Sequence, residues 1–316
     1  MAHAESKKVV YAALVGNGLI MITKFAAAAF TGSSAMLSEG IHSLVDTGNQ
    51  VLMLHGLRRS QLPADARHPF GYGRELYFWA FIVAILIFSI GAGVSLYEGV
   101  VKTISPHPIA DAYVNYIVLA AAAVFEAGAW WFAFKEFRRR KGTQGYWQAI
   151  RDSKDPTVIT VLFEDSAALL GLVVAFIGIG LAQVLDAPVF DGLASIVIGV
   201  ILAATAAALS YETKGLLIGE SASEVIREGI NTIVDGERGI QSVNEVLTMH
   251  MGPDDILLNL SVDFADDLNS VEVEAVISEL ERRIKSAHPE IKRLFIEAQS
   301  RAGHKAASDQ VEGGDS

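Results

Sequence analysis

The chain of 316 residues contains no cysteine, so it can form neither disulfide bonds nor thiolate metal sites. Any metal ion must therefore be bound by His, Asp, Glu or Asn. Charged residues are also scarce, at 19% of the chain against about 25% in soluble domains. With 51% hydrophobic residues, this balance favours a membrane protein. The net charge of −11 argues against nucleic acid as a partner.

Six long apolar stretches predict membrane-spanning helices, because about 20 mostly apolar residues are needed to cross a bilayer. The stretches are Val9–Phe30, Ala35–Leu57, Tyr77–Val100, Tyr113–Phe134, Thr157–Ala182 and Val189–Leu209. Loops after the second and fourth stretches are rich in Arg and Lys, whereas the alternate loops contain almost none of these residues. This asymmetry predicts that both termini are cytoplasmic. No cleavable signal peptide is expected.

From about Glu212 onward the pattern is that of a soluble fold. Helices are predicted over Ala222–Asp235 and Val271–Ala287, and strands over Ser242–Met251, Ile256–Phe264 and Arg293–Ala298. We therefore expect an α-helical membrane protein with six transmembrane helices and a small cytosolic α+β domain, ordered helix, strand, strand, helix, strand. The expected boundaries are 1–211 for the membrane domain, 212–300 for the cytosolic domain and 301–316 for a disordered tail.

Polar side chains in the second stretch need a reason, since an ionisable group at a helix centre costs about 2.5–3.5 kcal/mol on insertion scales. Four of them recur at steps that place them on one helical face, namely Glu39, His42, Asp46 and Asn49. His42 and Asp46 stand one turn apart and can reach the same ion. Glu164 and Asp165 in the fifth stretch could complete a mixed nitrogen and oxygen site, which zinc tolerates. The alternative is a polar seam where helices hydrogen-bond to one another.

Three further charged residues fall within the apolar stretches. Lys24 is expected to snorkel to the interface or to pair with an acid. Glu126 either lines the site or makes a buried hydrogen bond. Asp191 lies at the outer end of the sixth stretch, where we expect a helix cap or a hydrated entry group.

The segment Gly32–Asp46 (GSSAMLSEGIHSLVD) resembles the second helix of the cation diffusion facilitator family, which includes the zinc transporters. The loop Pro63–Glu75 (PADARHPFGYGRE) resembles the loop that follows. Glu164–Gly171 (EDSAALLG) is similar to the fifth helix, especially in the branch with the metazoan zinc transporter nine. The resemblance extends over nearly the whole chain. It implies a homodimer in a lipid bilayer that exchanges a cytosolic divalent cation for protons.

The resemblance implies that His42, Asp46 and Asp165 are metal ligands. Many zinc-selective members carry a His four residues before the fifth-helix Asp, and this chain has Val161 there. Glu164 is the nearest replacement, although it lies about 100° round the helix from Asp165. Glu39 and Asn49 remain further candidates. A carboxylate-rich set favours Mn²⁺ or Fe²⁺, while the retained His keeps zinc plausible.

Two additional sites of the family are incomplete here. Some members bind zinc in the loop through Asp and two His, and this chain has Asp65, His68 and Tyr72 at those places. Asp65 and His68 are thus candidate ligands or residues that organise the loop. The tail has few His residues, which leaves His250 and Glu297 as candidates and predicts that the tail mainly dimerises.

The expected function is proton-coupled efflux of a divalent cation from the cytosol, with Zn²⁺ first and Mn²⁺ or Fe²⁺ as alternatives. The cation is a transported substrate, and no cofactor is expected. The sequence has no Walker-type loop and no nucleophile with a neighbouring base, so neither an ATP-driven pump nor an enzyme is expected. A membrane metal sensor or scaffold acting through the cytosolic domain is the first alternative, and a channel for a small organic cation is the second. The expected location is a bacterial inner membrane.

Overall fold

The computed structural model describes residues 2–143 and 145–312. Within these ranges, each of the six predicted stretches lies in a long helix. The helices are α1 (Ala2–Thr31), α2 (Ser34–Ser60), α3 and α4 (Glu75–Leu86 and Gly93–Ile104, joined by a π-helical turn, Ile87–Ala92), α5 (Ala112–Lys141), α7 (Pro156–Val184) and α8 (Val189–Ile218). A short helix that was not predicted, α6 (Tyr146–Asp152), lies between α5 and α7.

Four of the described helical segments are long and apolar enough to cross a bilayer by length and composition. They are Glu75–Ile104, Ala112–Arg139, Pro156–Val184 and Val189–Ile218, and a shorter apolar segment, Asn17–Thr31, lies in α1. The second helix is long but its hydropathy is reduced by the polar residues that form the candidate site. The predicted class, an α-helical membrane protein with a small α+β C-terminal domain, is confirmed.

Local sequence explains where the site helices begin and end. Gly32 takes a left-handed conformation, with φ of 68°, and ends α1. The Ser33 side chain then accepts a hydrogen bond from the amide of Met36 and caps α2. The Asp155 side chain caps α7, and Pro156 occupies its first turn, where no amide donor is needed.

The C-terminal domain consists of α9 (Glu224–Asp235), β1 (Ile240–Gly252), β2 (Asp255–Phe264), α10 (Ser270–Ala287), β3 (Ile291–Ala298) and α11 (Arg301–Glu312). Its sheet has the order β1-β2-β3, with β1 and β2 antiparallel and β2 and β3 parallel. Alternate residues of β2, including Leu258 and Leu260, are fully buried together with Ile230 of α9 and Leu280 of α10. The predicted strand and helix order is confirmed.

The chain divides into two compact units whose limits differ from the predicted boundaries. The first unit contains the residues up to Gln61 and Glu75–Lys214, and the second contains Leu62–Arg74 and the chain from Gly215 onward. The loop joins the second unit through contacts that sequence spacing does not reveal. Gly73 lies against the backbone of Met251 and Gly252, at a distance that leaves no room for a Cβ atom.

The predicted disorder from residue 301 onward is wrong for the described part of the tail, which forms helix α11. The amide of Arg301 donates to Asp263 Oδ2 at 3.0 Å, and the amide of Gly303 donates to Ser300 Oγ at 3.2 Å. These contacts satisfy amides at the start of the helix. Alanines in the segment favour the helical state despite its polar composition.

Candidate metal-binding site

The polar stripe of α2 faces the interior of the helical bundle. Glu39, His42 and Asn49 are buried, and the Asp46 side chain is 14% exposed. His42 Nε2 lies 3.5 Å from Asp46 Oδ2, as the spacing of one helical turn predicts. Neither ring nitrogen of His42 makes a hydrogen bond with the described residues. A buried imidazole without such a partner is available to a cation.

Helix α7 presents the second group of acids to this stripe. Asn49 Nδ2 donates a hydrogen bond of 2.7 Å to Glu164 Oε1, which ties the two helices together. Glu164 and the neighbouring Asp165 lie about two turns inside α7. The expectation that an acid pair on the fifth stretch faces the α2 stripe thus agrees with the packing of α2 against α7.

The side chains of four helices meet at a narrow cavity of about 10 Å³. This volume corresponds to about one small molecule such as water. The lining residues are Asn17, Ser43, Asp46, Gln50, Glu126, Val161, Glu164 and Asp165. Four of them carry carboxylates, so the cavity concentrates negative charge in a buried place. Such a concentration favours binding of a cation or of protons.

The cavity does not include every candidate ligand in this conformation. His42 and Glu39 are outside its lining, and no group of three or more His, Asp or Glu among the described side chains is arranged to hold a metal ion. His42 is nevertheless next to Asp46, which does line the cavity. A cation held by both helices would therefore require side-chain rotations on α2 and α7.

The Glu39 carboxylate forms an ion pair with Lys24 of α1. Its Oε2 lies 3.0 Å from Lys24 Nζ, and both side chains are fully buried. Lys24 also donates a hydrogen bond of 2.8 Å to Ser43 Oγ. Of the two alternatives for Lys24, the structure has the ion pair and not the snorkelling side chain.

The loop candidates lie in the second unit and bind each other. Tyr72 donates a hydrogen bond of 2.7 Å to Asp65 Oδ2, and His68 Nδ1 lies 3.3 Å from Asp65 Oδ1. The hydrogen bond from Tyr72, together with those from the backbone of His68 and Arg67, lowers the pKa of Asp65 to about 2. Asp65 therefore organises the loop, which agrees with one of the two predicted roles.

The tail candidates are separated by their positions in the sheet. His250 is buried near the end of β1, where its Nδ1 lies 3.2 Å from the carbonyl oxygen of Gly252. Glu297 lies on β3, exposed and paired in register with Ser261 of β2. The two residues do not form a metal-binding group within the described part of the chain.

Sequence reasoning did not decide the role of Glu126 and missed that of Ser43. Glu126 lines the cavity from α5, and Ser43 lines it while accepting the hydrogen bond from Lys24. An isolated acid in an apolar helix was the available signal for Glu126. Ser43 gave no signal, since serine in a membrane helix usually hydrogen-bonds within the helix.

The helical bundle and its buried acidic cavity define a multi-pass membrane protein with a polar site inside its membrane unit. The cation efflux transmembrane domain matches residues 10–218, and the chain belongs to this family. The family consists of cation transporters and not of enzymes, which is the class that the sequence predicts.

The curated relatives agree with this assignment. The proton-coupled zinc antiporter SLC30A9, mitochondrial, of Xenopus laevis is 33% identical over 288 residues, which are 89% of this chain and 51% of that protein. The chain thus spans about half the length of that relative. The cation-efflux pump FieF of Cronobacter sakazakii is 27% identical over 293 residues, 92% of each chain.

A nickel form of the MamM C-terminal domain matches 25% of this chain and 99% of that domain at 15% identity. Its TM-score of 0.24 is too low to support an inference. The predicted location in a bacterial inner membrane is wrong by these comparisons, because the relatives at 33% identity, such as that of Xenopus laevis, are named as mitochondrial. A multi-pass membrane protein is what they support.

Proposed function

We propose that the protein carries a divalent cation, zinc in the first place, across the membrane in exchange for protons. The observation that carries this proposal is the convergence of Asp46, Glu126, Glu164 and Asp165, from three helices, on one buried cavity beside His42. Acids placed inside a membrane domain mark ion and proton pathways. The names of two relatives, a proton-coupled zinc antiporter and a cation-efflux pump, support the same function.

His42, Asp46 and Asp165 supply three ligands in this proposal, and Glu164 supplies the fourth. Val161 lines the cavity but offers no donor atom, so a fourth ligand must come from elsewhere on α7. Glu164 becomes free to bind the ion when its hydrogen bond with Asn49 opens. One imidazole and three carboxylates suit zinc, and they leave Mn²⁺ and Fe²⁺ as competitors.

The same side chains serve the exchanged protons. Metal ions bind carboxylates and imidazole in their deprotonated forms, so loading the ion releases protons and protonation releases the ion. Because the cavity has room for about one small particle, ion and protons compete for one place. Exchange then needs no separate proton path.

The transporting unit is proposed to be a homodimer in which the C-terminal domain holds two chains together. The mass of the purified protein in detergent tests this proposal. A full-length dimer that becomes a monomer on removal of the residues after Ile218 supports it. A truncated protein that stays dimeric contradicts the role of the domain.

Zinc uptake into sealed vesicles that contain the purified protein tests the function itself. His42→Ala should abolish uptake, because it removes the nitrogen ligand. His55→Ala is the matched control, since His55 lies on the same helix, is exposed and packs its ring against Trp79. Normal uptake by a well-inserted His42→Ala protein would contradict the ligand assignment. Zinc binding without any uptake by the wild type would favour the sensor instead.

A further inference from the structure

Lys24 is among the largest fully buried side chains in the described part of the chain. It lies on α1, and its ammonium group contacts two residues of α2, Glu39 Oε2 at 3.0 Å and Ser43 Oγ at 2.8 Å. A buried ammonium is costly unless it is paired and hydrogen-bonded, and both conditions are met here. Ser43 also lines the acidic cavity, so the charge of Lys24 is one hydrogen bond away from the proposed ion site.

The Glu39 carboxylate is fixed on its other side by the shape of α7. A Cβ atom at Gly171 would lie 2.4 Å from Glu39 Oε1. The carboxylate therefore occupies a notch that exists because residue 171 has no side chain. Glu39 shares the polar face of α2 with His42 and Asp46, yet it is not among the residues that line the cavity.

We propose that Lys24 is a built-in cation that keeps Glu39 out of the metal-ligand set and thereby sets the charge of the ion site. The inference rests on the proposed function and extends it to a residue of α1. Without Lys24, a fifth carboxylate would stand beside the four that line the cavity. With Lys24 in place, Glu39 is neutralised, and the incoming ion meets only the acids of the cavity and His42.

The zinc affinities of two variants distinguish this role of Lys24 from a role of Glu39 as a metal ligand. In Glu39→Gln, the Lys24 ammonium loses its counter-charge and repels a divalent cation through the low-dielectric interior. Zinc affinity should then fall by about tenfold or more. In Lys24→Met/Glu39→Gln, both charges are gone, and affinity should return to within about threefold of the wild type. If Glu39 were a ligand, both variants would bind zinc weakly.

The experiment is calorimetric titration of Zn²⁺ into purified full-length protein in detergent, with equal pH throughout. The proteins are the wild type, Glu39→Gln, Lys24→Met/Glu39→Gln and, as a variant that must lose binding, Asp46→Asn. Recovery of affinity in the double variant supports the inference. A double variant that binds no more tightly than Glu39→Gln, or a Glu39→Gln protein that binds as the wild type does, overturns it.

If Glu39→Gln fails to fold, the double variant alone still tests the inference. Replacing a buried ion pair by neutral groups of similar size is often tolerated, so Lys24→Met/Glu39→Gln should fold. Zinc affinity near that of the wild type then supports the inference, and lost affinity overturns it. A wild type that binds no zinc would overturn the proposed function and this inference together. If the wild type binds zinc and Asp46→Asn does not, the proposed function stands, whatever the zinc affinity of the double variant is.

Discussion

The carboxylate of Asp191, in the first turn of α8, accepts a hydrogen bond of 2.7 Å from the backbone amide of Ser34, in the first turn of α2. The same carboxylate accepts hydrogen bonds from Ser33 Oγ at 2.6 Å and from the amide of Ala35 at 3.2 Å. The first amides of a helix have no partner within the helix, and a negative charge there is favourable. Asp191 therefore fixes the beginning of the helix that carries His42.

Asp191→Asn should lower the free energy of unfolding by about 3 kcal/mol, because it replaces charge-assisted hydrogen bonds and introduces a donor that faces another donor. Thermal unfolding of the purified protein in detergent measures the change. Asp186→Asn is the control, since Asp186 is exposed and its left-handed backbone, with φ of 47°, suits asparagine. Equal unfolding temperatures for the two variants would show that Asp191 does not anchor α2.

Close approach of α7 and α8 depends on Gly178. A Cβ atom at Gly178 would lie 2.3 Å from Ala194 Cβ and 3.1 Å from the carbonyl oxygen of Phe190. Gly178→Ala should therefore destabilise the bundle by about 1–3 kcal/mol, the usual range for overpacking. Gly180→Ala, on the same helix, meets only the Tyr116 hydroxyl at 3.5 Å. It should leave stability unchanged or raise it by up to about 1 kcal/mol through helix propensity.

Unfolding midpoints of the two alanine variants, measured side by side, check this prediction. A Gly178→Ala protein as stable as Gly180→Ala would mean that α7 and α8 do not pack this closely.

The resemblance to zinc-binding family members predicts that one substitution converts the loop into a metal site. Tyr72 already contacts Asp65, which His68 also approaches. Tyr72→His would place a second imidazole near the same carboxylate, a ligand set that zinc accepts. The expected result is one more zinc ion per chain by elemental analysis. Tyr72→Phe is the control, because it removes the hydroxyl and supplies no ligand.

An unchanged zinc content in Tyr72→His, equal to that of Tyr72→Phe, would show that the loop geometry does not suit a metal ion.

Periodicity predicted the elements well, because it depends on local spacing. The steps between Glu39, His42, Asp46 and Asn49 were sufficient to place them on one face of a helix. The residues that contact this face were harder to predict, because the contacts depend on how the helices rotate against each other. Lys24 pairs with Glu39 across two helices, and no spacing rule distinguishes that pair from a snorkelling lysine.

Two features that the sequence left open or did not indicate depend on tertiary packing. Asp191 was expected to be a cap or a hydrated group, and it is a fully buried cap of a helix 157 positions earlier in the chain. The π-helical turn Ile87–Ala92 interrupts a stretch that was expected to be continuous. A lone polar residue or a one-residue change of helical register leaves no periodic signature.

One set of side chains is proposed to bind the metal ion and the protons in turn. Zinc titration of the wild-type protein in two buffers of different ionisation enthalpy measures this directly, since the difference in heat counts the protons released per ion bound. We expect zinc binding to release protons, Asp165→Asn to release fewer, and zinc affinity to fall as the pH is lowered. Zinc binding with no proton release, at an affinity that does not change with pH, would contradict it.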